Sequence, residues 1–164
     1  SWTILAGLRA AKRHVRIVTP YFLPDQALLT ALNAVTLAGV RLDIVLPETS
    51  NLRIVGWAMR AQLARVMEYG CRVWLSPPPF DHSKMMLVDD AWALFGSGNW
   101  DPRSLRLNFE FNVESYDSEL VSRLDAIVAG KIDDARPVSR DELERRALPI
   151  RLRDAAAWLF SPYL

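Results

Sequence analysis

The apolar residues in the first half of the chain follow two spacings in turn, one typical of helices and one typical of strands. Residues 2–13 have a helical pattern and lead into the strand-like stretch HVRIVTPYF. A helix capped by Asp25 and ended by Gly39 then precedes the buried strand VRLDIVLP, and a helix near 52–69, ended by Gly70, precedes the strand CRVWLS. Two helix-glycine-strand units predict parallel strands joined by helical crossovers.

The second half of the chain, after three consecutive prolines at 77–79, has a different pattern of apolar residues. The stretches SKMMLVD and WALFGS read as strands with a turn near Asp90, and LRLNFEFNVE alternates from Leu107 through Val113. Helical segments are predicted afterwards at residues 118–130, 139–147 and 150–160. We therefore predict an α/β fold, an α-β-α sandwich whose sheet is mixed.

Length and charge narrow the class of protein. At 164 residues the chain fits a single domain, in which residues at about 139–160 form a helical appendage. The 20 lysines and arginines against 19 acidic residues give a net charge of +1, which weighs against a nucleic-acid partner. The one cysteine, Cys71, opens an apolar stretch and is predicted to be a buried core residue.

The beginning of the chain indicates a piece of a longer protein. The start, SWTILAGLRAAKRHVRIV, lacks the order of a signal peptide, and no apolar run approaches the roughly 20 residues that span a bilayer. The chain enters an apolar helical pattern directly after Ser1, as expected of a cut inside a protein. Any membrane anchor would therefore lie upstream.

One stretch, DHSKMMLVDDAWALFGSGNWDPRSLRLNFEFN, collects the side chains best suited to phosphate chemistry. Six of them fall within 29 residues: His82, Lys84, Asp89, Ser97, Asn99 and Glu110. A histidine and a lysine two positions apart on a strand point to the same face. Imidazole can attack phosphorus or move protons near neutral pH, and lysine and asparagine can hold phosphate oxygens. The stretch predicts a site for phosphate transfer or hydrolysis.

The order of these motifs resembles the phospholipase D superfamily, and in detail the C-terminal catalytic half of bacterial cardiolipin synthases. His82, Lys84 and Asp89 form an H-x-K-x-x-x-x-D pattern, followed by GSGN. The resemblance runs almost end to end, through TPYFLPD, GVRLDIVLP, GSGNWDPRS, NFEFN and LFSPYL. It implies a phospholipase D-like sandwich fold and a fragment of a longer protein with two such motifs.

The resemblance also implies roles for the site residues. His82 would be one of two active-site histidines, Lys84 and Asn99 would bind phosphoryl oxygens, and Ser97 would line the same pocket. Glu110 would accept a hydrogen bond from the imidazole and so fix its tautomer. Asp89, which stands before a turn, is expected to support the local structure rather than to touch substrate. No metal or other cofactor is implied.

The family mechanism needs a second histidine opposite the first. His14, the other histidine of this chain, stands outside any H-x-K pattern and reads as a solvated residue at a helix end. The opposing histidine should therefore come from a missing N-terminal half or from a second copy across a two-fold axis. The N-terminal histidine is usually the nucleophile in the family, which would make His82 the general acid and base. In a homodimer the two roles could exchange.

The implied activity is a phosphatidyltransferase of the cardiolipin synthase type, acting through a phosphohistidine on a phospholipid, with phosphatidylglycerol the favoured substrate. The resemblance places it at a bacterial cell membrane, held by an upstream anchor. A phosphodiesterase or nuclease of the same superfamily, working as a homodimer, is the alternative. The near-neutral charge argues against it, because nuclease affinity depends on phosphate neutralisation, so we expect no nucleic-acid partner.

Some residues near these motifs allow two interpretations. Tyr21 and Phe22 follow a strand end, where they could line a pocket or belong to the core. A salt bridge between Asp101 and Arg103 is favoured over substrate contact. The C-terminal RDELERRALPIRLRDAAAWLFSPYL mixes arginines with apolar residues, a pattern typical of a helix docked on its own domain and also of a helix on an anionic membrane.

Overall fold

The computed structural model describes residues 2–101 and 109–161, which build a seven-stranded sheet flanked by helices. The strands are β1 His14–Val18, β2 Arg41–Pro47, β3 Arg72–Ser76, β4 Met85–Val88, β5 Trp92–Gly96, β6 Asn112–Ser115 and β7 Arg136–Pro137. The helices are α1 Trp2–Ala10, α2 Gln26–Leu37, α3 Arg53–Val66, α4 Ser118–Asp134, α5 Arg140–Glu144 and α6 Leu148–Leu159.

The sheet is mixed, as the sequence predicts. Its strand order is β6-β5-β4-β1-β2-β3-β7. The neighbours β1, β2 and β3 run parallel and are joined by the crossover helices α2 and α3. β4 lies on the other side of β1 and runs antiparallel to it, and β5 and β6 continue antiparallel. The chain therefore reverses its direction beside the first strand.

Each central strand divides its side chains between two apolar layers. Ile17 and Ile44 point to the layer shared with α1, α2, α3 and α6, whereas their neighbours Val18 and Val45 point to the layer under α4. This alternation follows from the two-residue period of a strand. With helices on both faces, the arrangement confirms the predicted α-β-α sandwich.

Helix boundaries follow the predicted capping residues. The Asp25 carboxylate accepts a hydrogen bond from the backbone N–H of Leu28 at 2.9 Å, which satisfies a free donor at the start of α2. The chain leaves α2 and α3 through Gly39 and Gly70, whose φ angles of +86° and +103° suit glycine. Cys71 follows and is buried, as predicted.

The alternating stretch LRLNFEFNVE differs from its prediction as a continuous strand. Its first residues, including Leu107, lie outside the described residues, and β6 begins only at Asn112. Phe109 and Phe111 are both exposed, so they do not add to a buried face. The backbone N–H of Phe111 donates to the Ser97 hydroxyl oxygen at 2.9 Å instead of to a strand carbonyl. At Phe111 this side-chain bond replaces the N–H half of the strand ladder, while the Phe111 carbonyl still accepts the Ser97 backbone N–H at 3.0 Å.

Asp89 fastens the turn between β4 and β5 to the start of β1. Its carboxylate accepts hydrogen bonds from the backbone N–H groups of Lys12, Arg13 and His14 at 2.6, 2.8 and 2.8 Å. Asp89 itself has a φ angle of +53°, which aspartate tolerates better than most residues. Burial raises its pKa, but the three hydrogen bonds outweigh burial and hold the pKa below its usual value.

The prediction that His14 is a solvated helix-end residue was wrong. His14 begins β1 and is buried, with its Nε2 atom 3.2 Å from Asp90 Oδ1 and 3.9 Å from Asp125 Oδ1. Arg13 lies 3.0 Å from Asp90, and Arg16 lies 2.7 Å from Asp125. Because each carboxylate already has an arginine partner, we interpret these residues as an ion-pair network that joins β1 to its neighbours.

The C-terminal helices complete the face that α3 begins. α6 packs along α3, which agrees with a helix docked on its own domain. Its buried residues are Asp154 and Ala157. Within residues 2–101 and 109–161, every helix is too short or too polar to cross a bilayer.

We predict that Asp89→Ala lowers the free energy of unfolding by about 2–3 kcal/mol, because three N–H donors lose their acceptor. Urea unfolding measures this, with the exposed Asp133→Ala as a control that changes little. The depressed pKa of Asp89 makes its contribution complete above pH about 4 and lost as the pH falls through the folded-state value. An equal difference between wild type and Asp89→Ala at pH 7 and at acidic pH would contradict this interpretation.

Candidate active site

The residues predicted for phosphate chemistry gather where β1 ends and β4 begins. Antiparallel pairing aligns Val18, the last residue of β1, with Met85, the first residue of β4. β5 pairs with β4 in the opposite direction and ends beside the same point. His82, just before β4, and Ser97 and Asn99, just after β5, therefore lie at one edge of the sheet, which we call the site rim.

His82 is exposed at the site rim, and one side of its imidazole lies beside two aromatic rings whose centroids are 6.2 Å apart. The Tyr21 ring lies edge-on to the imidazole at a centroid distance of 5.8 Å, and the Phe80 ring lies at 5.9 Å. The Tyr21 hydroxyl donates a hydrogen bond of 2.7 Å to Asn51 Oδ1, which fixes that ring. Tyr21 combines its two interpretations, because it packs against the core and also lies beside His82. Phe22, by contrast, is fully buried.

The segment that carries His82 is a turn rather than the predicted strand, because β4 begins only at Met85. The Asp81 carboxylate accepts the backbone N–H of Ser83 at 2.9 Å, which turns the chain. Its second oxygen lies 2.7 Å from the Lys131 ammonium of α4. His82 and Lys84 therefore lie just before the strand instead of within it; the imidazole is exposed, whereas Lys84 is buried.

The Lys84 ammonium contacts the backbone of His82. It donates a hydrogen bond of 2.7 Å to the His82 backbone oxygen, so the lysine holds the histidine's own peptide unit. Burial lowers the pKa of Lys84, against the opposing charges of Glu110, Asp81 and Asp101. Burial also lowers the pKa of His82, and the positive charge of Lys84 lowers it further. Both groups therefore lose protons more readily than in solution.

Ser97 links the end of β5 to Glu110. The Ser97 hydroxyl donates a hydrogen bond of 2.5 Å to Glu110 Oε2, and the Ser97 backbone N–H donates to the Phe111 carbonyl at 3.0 Å. The predicted hydrogen bond from His82 to Glu110 stays a prediction. The contact with Ser97 gives Ser97 a positioning role towards this carboxylate.

Gly96 is required by the close approach of the chain that carries Glu110. A Cβ atom at position 96 would lie 2.2 Å from the Phe111 backbone oxygen and 2.7 Å from the Asn112 Cα atom. The Asn112 side chain accepts the Gly98 backbone N–H at 3.3 Å, a second contact between the same two segments. The glycine in GSGN thus lets β5 meet the Glu110 segment.

Asn99 is half-buried in a loop that is joined to the segment after β1. The Trp100 backbone N–H donates to the Tyr21 carbonyl at 3.2 Å, and the Leu23 N–H donates to the Trp100 carbonyl at 2.7 Å. Trp100 itself is buried, with its ring centroid 6.3 Å from that of Phe22. These contacts bring Asn99 to the side of the rim where Tyr21 flanks His82.

Asp89 and Asp101, the two residues with predicted structural roles, lie in different surroundings. Asp89 follows β4 and so lies at the opposite end of that strand from His82, at the contacts described above. The proposed partner of Asp101, Arg103, lies outside the described residues, while Asp101 is buried.

Sequence reasoning missed Asp81, Asn112 and Lys131 as structural supports of the site. Asp81 and Asn112 are the two ends of the stretch that it singled out, and their short polar side chains are typical of turns and loop contacts. Lys131 is 50 positions from Asp81. A contact over that distance leaves no local signal in the sequence.

Comparison with known proteins identifies the family. Residues 4–131 match the family model described as cardiolipin synthase, PLD-like domain. The chain belongs to this phospholipase D-like family. It is 34% identical over 159 residues to a cardiolipin synthase of a Geobacillus species, with 97% of this chain and 32% of the relative covered. It is 35% identical over 154 residues to the major cardiolipin synthase ClsA of Bacillus subtilis, covering 94% of this chain and 32% of the relative.

Solved structures of the phospholipase D-like fold are similar throughout most of the chain. The phospholipase D family member Nuc from Salmonella typhimurium has a TM-score of 0.73 at 21% identity, covering 84% of this chain and 89% of that one. The phosphatidylserine synthase of Haemophilus influenzae has a TM-score of 0.79 at 19% identity, covering 98% of this chain and 44% of that one. The chain spans about a third of the length of the curated cardiolipin synthases that it matches.

We predict that Lys84→Met raises the pKa of His82 towards its ordinary value, because one of the two causes that lower it is the positive charge of Lys84. An NMR titration of the imidazole signals measures this, since the chain has only two histidines. The control variant is Lys12→Met, which removes an exposed lysine just before the start of β1, at the far end of that strand from His82, and should leave the His82 pKa unchanged. An unchanged His82 pKa in a folded Lys84→Met protein would rule out this coupling.

Proposed function

We propose that this chain supplies one half of the active site of a phosphatidyltransferase of the cardiolipin synthase type. The observation that carries the proposal is the exposed imidazole of His82, which lies beside the rings of Tyr21 and Phe80, with the Lys84 ammonium bound to the backbone oxygen of the same histidine. The family match and the cardiolipin synthase relatives support the reaction class. The proposed phosphatidyl donor is phosphatidylglycerol.

The proposed reaction has two balanced steps through a phosphohistidine. An imidazole nitrogen attacks phosphorus, the phosphorus–oxygen bond to the head-group glycerol breaks, and the opposing imidazole gives that glycerol its proton. A hydroxyl of a second phosphatidylglycerol then attacks phosphorus and returns a proton to the opposing imidazole, while the phosphorus–nitrogen bond breaks. Two phosphatidylglycerol molecules thus give cardiolipin and glycerol, and both histidines are restored.

The other residues of the rim have proposed roles in this reaction. Lys84 and Asn99 bind the phosphoryl oxygens, whose negative charge grows as phosphorus becomes five-coordinate. Glu110 orients the imidazole of His82, and Ser97 holds Glu110 through its 2.5 Å hydrogen bond. The lowered pKa of His82 favours a neutral imidazole near pH 7, the form that acts as a nucleophile or a base.

Within one copy of this chain, His14 is not placed to be the histidine that opposes His82. His14 begins β1 and His82 lies beyond its end, so the length of that strand separates them. We propose that the second histidine comes from an N-terminal half of a longer protein, or from a second copy of this chain. The relatives, which are about three times as long as this chain, have room for such a half.

The proposed place of action is a bacterial cell membrane, to which an anchor upstream of this chain would hold the enzyme. The exposed Phe109 and Phe111 flank Glu110 at the rim. Apolar side chains beside a phosphate site suit an amphiphilic substrate, which presents acyl chains next to its phosphate. This supports a phospholipid over a small soluble phosphodiester.

We predict that His82→Ala in the full-length protein lowers conversion of phosphatidylglycerol to cardiolipin and glycerol by at least about 100-fold, because a histidine essential to proton or phosphoryl transfer is lost. The matched control is His14→Gln, which changes the histidine that lies outside the rim and should keep most of the activity. Thin-layer separation of labelled lipids measures both products. Turnover by His82→Ala at the wild-type rate would refute the proposed function.

A second prediction separates the two roles that His82 could have. If His82 is the general acid, a p-nitrophenyl ester of phosphatidic acid should react nearly normally in its first step in His82→Ala, because nitrophenolate leaves without a proton. Release of nitrophenolate in a single-turnover experiment measures this step. An equal defect with both leaving groups would instead make His82 the nucleophile.

A further inference from the structure

Helix α6 is attached firmly to the domain through one face. Its buried Asp154 accepts hydrogen bonds from Arg146 at 2.6 Å and from Arg153 at 2.7 Å. The Arg153 guanidinium also lies 4.3 Å from the ring centroid of Trp57 in α3, close enough for a cation–π contact. The orientation of α6 is therefore fixed by the packing of its inner face.

The opposite face of α6 carries an exposed row of leucines. Leu148, Leu152 and Leu159 are 65%, 61% and 69% exposed, and Phe160 follows directly at 60%. The spacings of four and seven residues place the three leucines on one side of the helix. We call these four residues the outer stripe. Large apolar side chains aligned in this way mark a contact surface more often than isolated exposed ones do.

The charges around the outer stripe are positive. The only acidic residue of α6, Asp154, is buried on the inner face, whereas Arg151 is exposed beside the leucines. Arg153 is partly exposed as well, at 40%. An apolar row bordered by arginines is complementary to an anionic bilayer, in which acyl chains lie beneath lipid phosphates.

The preceding helix does not cancel this charge. The exposed acidic residues of α5, Asp141, Glu142 and Glu144, all have arginine neighbours, which are Arg145 at 3.4 Å, Arg136 at 2.7 Å and Arg140 at 3.8 Å. Because these acidic residues are paired with other arginines, Arg151 can contact an external anion. The binding partner that fits both the positive charge and the apolar row is a phospholipid surface.

The outer stripe leads towards the site rim. Arg146 donates to the backbone oxygen of Arg60 at 3.4 Å, and Arg153 contacts Trp57, so α6 runs antiparallel to α3. The end of α6 with Leu159 and Phe160 is therefore directed towards the start of α3. That start follows Asn51, whose side chain holds Tyr21 beside His82.

We propose that the outer stripe lies in the head-group region of an anionic bilayer and holds the site rim at the membrane surface. The inference rests on the proposed function only for the choice of a lipid partner. The leucines and Phe160 enter the boundary between head groups and acyl chains, and Arg151 contacts lipid phosphates.

Vesicle binding by the 164-residue chain tests this proposal. We expect Leu152→Glu with Leu159→Glu to lower binding to phosphatidylglycerol-containing vesicles by roughly tenfold or more, because two apolar side chains no longer enter the interface. The control pair is Leu37→Glu with Ile127→Glu, at residues 67% and 53% exposed on α2 and α4, which should leave binding within about twofold. Arg151→Glu should also weaken binding, and phosphatidylcholine vesicles should bind less.

The outcomes separate this proposal from the proposed function. His82→Ala should bind vesicles as wild type does, and the outer-stripe pair in the full-length protein should still convert phosphatidylglycerol dispersed in detergent. Equal vesicle binding by the outer-stripe pair and the control pair would overturn the docking surface alone. Analytical ultracentrifugation provides a second check. If the outer-stripe pair changed self-association but not vesicle binding, the outer stripe would be a protein interface, and the docking surface would be overturned. Undiminished turnover by His82→Ala would overturn only the proposed function.

Discussion

The antiparallel position of β4 beside β1 is the constraint on which the site depends. β1, β2 and β3 all end at one edge of the sheet, as parallel strands must. Because β4 runs the other way, its beginning comes to that same edge, and the turn that carries His82 meets the segment that carries Tyr21. A fourth parallel strand would place the start of the strand, and with it His82, at the opposite edge.

The burial of Lys84 is the second requirement of the rim. Burying a lysine at the sheet edge destabilises the fold unless its ammonium has partners. Here the partners are the His82 carbonyl and several nearby carboxylates. The same charge acts on the imidazole and lowers its pKa. One side chain thus fixes the backbone of the histidine and adjusts its protonation, so the two halves of the H-x-K pattern act as a unit.

Much of the fold could be predicted because its signals are local. Neighbouring residues and the helix and strand periods determine the glycines after α2 and α3, the Asp25 cap and the two helix-strand units.

The predictions that were wrong depend on contacts between residues that are distant in the sequence. His14 is buried because Asp90 and Asp125 lie beside it, although its neighbours in the sequence are charged. The strand predicted at Phe111 is interrupted because a distant hydroxyl, that of Ser97, takes its N–H. The residue types of the site were evident, but their supports at Asp81 and Lys131 were not.

The aromatic neighbours of His82 have a consequence for the entropy of the reaction. An exposed histidine ordinarily samples several rotamers, and a substrate that needs one of them must oppose that freedom. Tyr21 and Phe80, whose ring centroids are 6.2 Å apart, together cover one side of the imidazole, and Tyr21 is itself held by Asn51. The imidazole therefore loses part of its rotamer freedom when the chain folds, before any phosphate arrives. Binding energy from a lipid can then be used to align phosphorus with the nitrogen instead of to immobilise the nitrogen.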